Sequence, residues 1–317
     1  MSRFFMATVA VAIMVVAVGA GTAAARGDSP DELLARFQPV FVLDRTERFS
    51  PISVDGFVDV VDLERLGDTG YTPEERPRHG LPSHGDVWRL NERGCTPAGG
   101  LASLVCYAAG DVAAPLIYGR FEKVKGGGSV LQYWLFYEFN YWSLQYPATD
   151  LVWQAHEGDW EVVTIVLDRD RQPVVAGYSQ HCGGEQRDWA AVPMVPGSEH
   201  PLVYVATGSH ANLFAPGAHP IDLACYPQQA VDFFRAYGVT PADVNVPGTT
   251  LGPDTALERL HEKNPRWLRF PGTWGETQYV HAPAPLGTIP FGTSPVGPAF
   301  QSEWDDPVGT IAGYHPA

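Results

Sequence analysis

The longest regular pattern in the chain is an aromatic run with a period of two. Between positions 131 and 142 one face would carry a row of large apolar side chains, namely Leu131, Tyr133, Leu135, Tyr137, Phe139 and Tyr141. Successive side chains on a strand point to opposite faces, and aromatic residues are favoured in strands. A helix could also bury such a run, but its aromatic content favours a central β-strand.

Four shorter runs rich in Val, Ile and Leu predict further strands. They cover residues 39–43, 161–167, 173–181 and 202–206. Turn residues separate them, as at 168–171, and short connections between successive strands are typical of antiparallel pairing. The sequence therefore predicts a mainly β fold, an antiparallel β-sandwich with a few short peripheral helices.

Helix signals are confined to short segments. Ser29 followed by Pro30 is typical of a helix N-cap with proline in the first turn. Residues 229–237, which precede a glycine, and residues 254–262 predict two more short helices. The tail from 281 to 298 is dense in Pro and Gly, so we expect it to run extended over the surface.

The first 25 residues resemble a secretory signal peptide. Arg3 precedes an apolar core at 4–18, and an Ala-x-Ala cleavage site lies at 23–25. An uncleaved anchor is the alternative, because about 20 apolar residues span a bilayer. We expect the signal at 1–25 to be removed, so that residues 26–317 form a single secreted β-sandwich domain with a Pro- and Gly-rich C-terminal extension.

The four cysteines are interpreted as disulfide-bonded, since export places them in an oxidising compartment. Cys95 and Cys106 flank a Gly-rich segment, which makes a local bridge plausible and leaves Cys182 with Cys225 as a long-range bridge. Three pairings are open to four cysteines. The chain has no Cys-x-x-Cys motif, so a thiolate zinc site is not expected.

The formal net charge of −15 argues against nucleic acid and against electrostatic docking to anionic lipid. A strongly acidic chain is repelled by the phosphates of nucleic acids and by anionic lipid surfaces. We therefore expect no nucleic-acid binding. The sequence does not predict the oligomeric state.

A polar hexapeptide directly before the predicted strand at 161–167 carries the candidate chemistry. It reads His156-Glu157-Gly158-Asp159-Trp160-Glu161. On a strand, Asp159 and Glu161 project to the same side and Trp160 to the other. Gly158 would let the chain turn so that His156 approaches the two acids. An imidazole with two carboxylates suits a divalent cation, and the oxygen-rich set predicts Mg²⁺ or Ca²⁺ before Zn²⁺.

Further histidines fall beside predicted strand ends. They are His181, His200 and His210. If their strands neighbour the strand at 161–167, His181 and His210 would converge on the hexapeptide and become candidates for general acid or base catalysis. Ser209 precedes His210, but no Gly-x-Ser-x-Gly elbow surrounds it, so a serine hydrolase is not expected.

Several ordered motifs resemble the family named after fungal vacuolar protein sorting-associated protein sixty-two, which has bacterial and plant relatives. The resemblance rests on the aromatic segment 133–140, the hexapeptide, the Tyr-Ser-x-His segment 178–181 and the segment 200–211, which ends in Gly-Ser-His-Ala. It covers about residues 35 to 220. The biochemical activity of this family is essentially unassigned, so the resemblance implies a shared fold and site but no mechanism.

The hexapeptide is also similar to the Gly-His-Arg-His-Asp-Trp-Glu motif of necrosis- and ethylene-inducing-peptide-like proteins. These secreted cytolysins have a β-sandwich and bind a divalent cation near plant membrane glycolipids. The resemblance implies metal ligands at His156, Asp159 and Glu161 of this chain, and a toxin-like function.

The chain departs from that motif at its start. Ala155 stands where the motif has Gly, and Glu157 and Gly158 stand where it has Arg and the second His. Toxin activity therefore does not follow from the motif alone. Asp150 or His210 could supply a further ligand.

The leading functional hypothesis is a binding module in which the cation organises a site for a polar extracellular ligand, either a glycan or a lipid headgroup. A metal-dependent hydrolase of phosphoesters or glycans is the alternative, with His181 or His210 as acid or base. A glycosidase could also pair two of the carboxyls of Glu157, Asp159 and Glu161. The third hypothesis is a purely structural polar cluster without metal.

Overall fold

The structure is a computed structural model that describes residues 28–67, 70–73, 81–83, 88–99, 101–108, 114–146, 149–181, 183–226, 228–236, 238, 240–262, 264–282 and 287–316. Strands dominate these residues. The strands are β1 (Val40–Asp44), β2 (Val61–Gly67), β3 (Gly70–Pro73), β4 (Trp88–Glu92), β5 (Leu116–Lys123), β6 (Ser129–Tyr146), β7 (Thr149–Leu167), β8 (Pro173–Gln180), β9 (Gly183–Asp188), β10 (Leu202–Val205), β11 (Asn212–Leu213), β12 (Gly217–Pro220), β13 (Ala242–Asn245), β14 (Pro247–Leu251), β15 (Ala256–Leu260), β16 (Thr277–Ala282), β17 (Gly287–Thr293) and β18 (His315–Pro316).

The helices are short, and the longest described one has nine residues. They are α1 (Pro30–Arg36), α2 (Val54–Val60), α3 (Leu101–Tyr107), α4 (Gln228–Ala236), α5 (Ser302–Asp305) and α6 (Pro307–Ala312). The predicted N-terminal helix is confirmed as α1. Ser29 caps it, and the side chain of Glu32 returns a hydrogen bond to the cap backbone.

A long pair of antiparallel strands, β6 and β7, forms the centre of the largest sheet. The order of its main path is β15-β5-β6-β7-β8-β9-β18, and β16 and β17 attach to β7. The alternation predicted for the aromatic run is confirmed. Tyr133, Tyr137 and Phe139 pack into one core, whereas Trp134 and Phe136 pack into another on the opposite face.

The first core lies between the large sheet and a four-stranded sheet of order β11-β10-β1-β14. Phe41 from β1 and Val203 from β10 are fully buried there against Tyr133 and Ile165 of the large sheet. Apolar side chains from two facing sheets thus make the sandwich that the alternating pattern predicts. The second core, on the other face, is rich in tryptophan and is covered by loops, by the short helices and by the sheet β3-β2-β4.

The mainly β prediction is confirmed, although the pairing is not purely antiparallel. The pairs from β5 through β9 are antiparallel, whereas β1 with β10, β5 with β15 and β9 with β18 are parallel. The helix predicted at 229–237 is found as α4. The helix predicted at 254–262 is wrong, because residues of that segment form β15 and pair with β5 instead. The tail at 281–298 includes β17, which pairs with β16.

The disulfide between Cys95 and Cys106 is present. Cys182 and the side chain of Cys225 lie outside the described residues, so their pairing stays a prediction. The expected signal peptide at 1–25 also lies outside them. No helix among the described residues is long and apolar enough to cross a membrane.

Candidate functional site

The sequence predicts the hexapeptide directly before a strand. In the structure it lies inside strand β7. Its register against β6 is continuous, with Asp159 opposite Tyr137 and His156 opposite Asn140. Gly158, between the two ligand candidates, has a φ of 58°. A Cβ at this position would overlap the carbonyl oxygen of Trp274. Only glycine fits here, because both the left-handed conformation and the close approach exclude a side chain.

This turn in β7 brings residues of both strand faces to one cavity of about 380 Å³. His156, Asp159, Glu161 and His181 all line it. Four of the five residues singled out by the sequence therefore share one cavity. The complete described lining is Asn140, Trp142, Gln154, His156, Asp159, Trp160, Glu161, His181, Ser209, Tyr226, Gln278, Thr293, Pro295, Val296 and Gln301.

The lining combines three kinds of side chain. Carboxyls and amides supply hydrogen-bonding groups, and Trp142, Trp160 and Tyr226 supply aromatic surface. None of the lining residues in the described part of the chain is Lys or Arg. The cavity therefore offers polar and aromatic contacts with an acidic bias.

His210, the fifth residue, lies behind the cavity wall and is fully buried. Its Nδ1 is 2.8 Å from Asp159 Oδ2, and its Nε2 is 3.6 Å from Glu47 Oε1. The ring stacks on Tyr137, with 3.8 Å between the ring centroids. His210 thus links Asp159 to a glutamate more than a hundred residues away in sequence.

Packing determines the charges of His210, Glu47 and Asp159. Burial alone would lower the pKa of His210, but the carboxylates of Glu47 and Asp159 raise it to about 9. Burial would raise the pKa of Asp159, yet the hydrogen bond from His210 and the nearby imidazoles hold it below its usual value. At neutral pH the group is a protonated imidazole between two carboxylates.

Glu161 is held differently from Asp159. Its Oε2 accepts hydrogen bonds from Ser179 Oγ and, at 3.5 Å, from Asn212 Nδ2. Burial, together with repulsion from Asp159, raises the pKa of Glu161 well above its usual value. One acid of the pair is therefore ionised and the other holds its proton, as expected for adjacent buried carboxyls.

His156 is a neutral imidazole, because burial lowers its pKa despite the nearby Asp159. Its Nδ1 is 3.2 Å from the carbonyl oxygen of Glu157. A neutral ring that donates from Nδ1 keeps its lone pair on Nε2, the atom that could accept a hydrogen bond or bind a metal.

Glu157 does not line the cavity. Its carboxylate accepts hydrogen bonds from Tyr107 Oη at 2.6 Å, from the backbone N–H of Glu92 at 3.0 Å and from that of Glu276 at 2.9 Å. These three donors, and its position outside the cavity lining, commit Glu157 to contacts within the protein. Glu157 therefore acts as a structural anchor between β4, β7 and the segment before β16.

His181 forms a second hydrogen-bond network in the cavity lining. Its Nε2 is 2.9 Å from Asp243 Oδ2, and Ser209 Oγ donates to Asp243 Oδ1 at 2.6 Å. The aspartate lies between the serine and the histidine, so this is not the order of a nucleophilic triad. His200, the other histidine considered, contacts the carbonyl of Gln38 and is not among the residues that line the cavity.

Sequence reasoning missed Glu47, Asn140 and Asp243. Glu47 and Asp243 are brought to the site by tertiary packing and have no local motif around them. Asn140 could have been found from the sequence, because it is a polar residue inside the apolar run of the predicted aromatic strand. Its Oδ1 is buried without a hydrogen-bond partner among the described residues.

The kinds of side chain in the cavity suit a divalent cation, but their present arrangement does not. A neutral imidazole with two carboxyls is a suitable donor set for a hard cation. Yet no group of three His, Cys, Asp or Glu side chains in the described ranges is arranged so that it could hold a metal ion. Asp159 and Glu161 each have one oxygen engaged by protein partners. The side chain of Asp150, a further candidate ligand, lies outside the described residues.

No protein-family model matches the chain. The Saccharomyces cerevisiae protein named vacuolar protein sorting-associated protein 62 is 27% identical over 207 residues, which are 56% of this chain and 42% of that protein. A second protein of the same yeast is 27% identical over 176 residues, which are 49% of this chain and 37% of its own length. The chain spans less than half the length of both curated relatives.

The chain is also similar to solved structures of necrosis- and ethylene-inducing proteins. A structure described as NLPPya in complex with mannosamine has a TM-score of 0.42 and 15% identity, covering 90% of this chain and 91% of that one. Necrosis and Ethylene inducing Protein 2, from the agent of Witches Broom disease of cocoa, has a TM-score of 0.31 and 14% identity, covering 74% of each chain. Neither likeness identifies a ligand of this chain. The chain is thus similar to both groups of proteins that its motifs resemble.

Proposed function

We propose that this chain is an exported binding protein whose acidic cavity binds a sugar residue, either of a glycan or of a glycolipid headgroup. The cavity is proposed to hold its ligand without converting it. A divalent cation is proposed as a second component of the site.

The observation that carries the proposal is the composition of the cavity lining. Trp142 and Trp160 offer aromatic surface on which the C–H face of a sugar ring could pack. Asn140, Gln154 and Gln278 offer amides that both donate to and accept from hydroxyl groups. Sugars present this combination of an apolar face and a polar edge.

The charge of the cavity narrows the ligand class. The pKa of Asp159 is below its usual value, so its carboxylate is ionised at neutral pH. No lysine or arginine in the described lining would compensate a phosphate or sulfate. A neutral or cationic sugar is therefore favoured over a phosphorylated headgroup, since like charges repel strongly where water is scarce.

A divalent cation, if bound, would be held by His156, Asp159 and Glu161. The favouring observation is that two carboxyls and a neutral imidazole line one cavity without a basic lining residue in the described ranges. The cation would supply positive charge to which sugar hydroxyls could bind. It would have to replace part of the present hydrogen bonding of Asp159 and Glu161.

Calorimetry with monosaccharides tests the sugar proposal. For chelator-treated protein, in which no cation neutralises Asp159, we expect glucosamine and mannosamine to bind more tightly than glucose and mannose, and inorganic phosphate not to bind. Asp159→Asn should weaken amino-sugar binding about tenfold or more, because a hydrogen bond to a charged group contributes about 1.5–3 kcal/mol. Asp170→Asn, in the exposed turn after β7, is the matched control and should bind as the wild type does. Absence of any sugar binding would overturn the proposal.

The cation is tested separately. Chelator-treated protein is titrated with Mg²⁺, Ca²⁺, Mn²⁺ and Zn²⁺, and the titrations are repeated with His156→Ala and Glu161→Gln. We expect the wild-type protein to bind one Mg²⁺ or Ca²⁺ ion, and we expect neither variant to bind it. Unchanged uptake in the variants would place the cation elsewhere. If Asp159→Asn lowers the melting temperature equally with and without chelator, and no metal binds, the cluster is structural.

The geometry of the histidines supports the hydrolase hypothesis less well than the binding hypothesis. His210 is fully buried between two carboxylates, so it cannot reach a substrate in the cavity. His181 lines the cavity, but its Nε2 is 2.9 Å from Asp243 and its Nδ1 is 3.4 Å from Tyr226 Oη, so both ring nitrogens contact protein groups. We therefore propose a binding protein, and a metal-dependent hydrolase stays the alternative.

A further inference from the structure

A second cavity, of about 370 Å³, lies directly beside the first. Residues from β8, β9, β13 and β18 line it, including Gln180, Glu185, Asp243 and His315. Neither the sequence motifs nor the resemblances point to it.

His181 separates the two cavities and lines both of them. On the first side its ring meets Trp142, at 6.3 Å between centroids, and Tyr226, at 6.2 Å. On the second side its Nε2 binds Asp243, which lines only the second cavity. Ser209, in the lining of the first cavity, donates to the same aspartate. The boundary between the cavities therefore includes the hydrogen-bonded side chains of His181 and Asp243.

The His181 side of this boundary is partly exposed to solvent. The side chain of His181 is 18% exposed, whereas that of Asp243 is only 3% exposed. Solvent thus reaches the imidazole of His181, while the buried Asp243 holds the ring through its hydrogen bond.

The second cavity has the same electrostatic character as the first. Glu185, Asp222 and Asp243 line it, and none of its lining residues in the described part of the chain is Lys or Arg. At its rim His315 Nε2 is 3.4 Å from Asp222 Oδ2, and both side chains are largely exposed. Two neighbouring acidic cavities attract a ligand that carries positive charge in more than one place.

We propose that the two cavities are adjacent subsites of one binding cleft, and that the ligand is an oligosaccharide containing unacetylated amino sugars. One sugar residue would lie in each cavity, and the linkage between them would cross the edge of His181. This inference rests on the proposed sugar-binding function and deepens it.

The first test is a ligand length series. Glucosamine oligomers of one to four residues are titrated by calorimetry beside the matching N-acetylated oligomers, which lack the positive charges. We expect the affinity of the amino-sugar series to rise about tenfold or more from one to two residues, because a second subsite adds contacts at little further entropic cost. The N-acetylated series should show a smaller gain.

The second test fills the new cavity without touching the first. A Cβ at Gly183, which lines the second cavity, would have no other atom within 4 Å, so Gly183→Trp is compatible with the backbone. It should abolish the gain with length and leave monosaccharide binding to the first cavity unchanged. Val174→Trp, at an exposed site on β8, is the matched control and should keep the gain. Ala224→Trp, also in the second lining, serves if Gly183→Trp does not fold.

The outcomes separate the two proposals. If no monosaccharide binds, the sugar-binding function itself fails. If monosaccharides bind but affinity does not rise with length, or if Gly183→Trp weakens one- and two-residue ligands equally, the second subsite fails while the first stands.

Discussion

At the scale of single residues, His210 shows how one side chain stabilises a whole site. It has a left-handed φ of 56°, which few non-glycine residues adopt, and its ring is fully buried against Tyr137. The carboxylates of Glu47 and Asp159 flank it. The interaction with Asp159 keeps that carboxylate in place at the cavity wall.

Replacing His210 should therefore destabilise the protein strongly. His210→Ala would leave two buried carboxylates without their positive partner, which typically costs about 3–5 kcal/mol. Denaturant unfolding measures the loss. His261→Ala, at an exposed position, is the control and should change the free energy of unfolding by less than about 0.5 kcal/mol. A loss below about 1 kcal/mol for His210→Ala would show that the ion group contributes little.

A second residue-scale prediction concerns Glu92, whose side chain is buried next to Glu138. Burial, followed by a hydrogen bond with Glu138 and by repulsion from Glu138 and Glu157, raises the pKa of Glu92 to about 10 from an unfolded value near 4.5. The folded state thus binds more protons than the unfolded state between these values, so stability falls as pH rises through this window.

We expect the melting temperature to decrease from about pH 5.5 to about pH 9.5, and Glu92→Gln to reduce the slope, because glutamine resembles the protonated acid. Thermal unfolding at several pH values measures both effects. A melting temperature that rises over this range, or an unchanged slope in the variant, would contradict the assignment of the slope to Glu92.

At the scale of elements, strand β7 depends on one glycine. Gly158 turns the strand so that His156 and Asp159, three positions apart, line the same cavity. On a regular strand an odd spacing would place them on opposite faces. The strand also holds Trp160 in the second core, so the turn and the packing are fixed together.

Gly158→Ala should therefore cost at least about 2 kcal/mol, because it combines backbone strain with an overlap onto Trp274. Gly183→Ala is the matched control, since its Cβ would meet open space. Chemical denaturation of both variants checks the difference. Equal stabilities would mean that the strand relaxes freely at position 158.

At the scale of the whole molecule, the net charge of −15 and the two acidic cavities both attract positively charged ligands. Positive ligands are attracted over several ångströms, and this attraction is screened by salt. The field of the protein should thus favour amino sugars over neutral sugars.

We expect glucosamine affinity to fall several-fold when the salt concentration rises from about 20 mM to about 500 mM, because the Debye length shortens from roughly 20 Å to a few ångströms. Glucose affinity should stay nearly constant over the same range. Calorimetry at matched pH measures both. Equal salt dependence of the two sugars would show that charge does not determine the preference.

The sequence by itself determined the mainly β class, the aromatic central strand, helix α1, and the common side of Asp159 and Glu161. These features depend on residues a few positions apart, and local alternation and capping report them directly. Tertiary structure decided that β15 is a strand, that Glu157 is an anchor behind the cavity, and that Glu47 and Asp243 complete the histidine networks. Such contacts join residues far apart in the chain, and packing of the sheets alone brings them together.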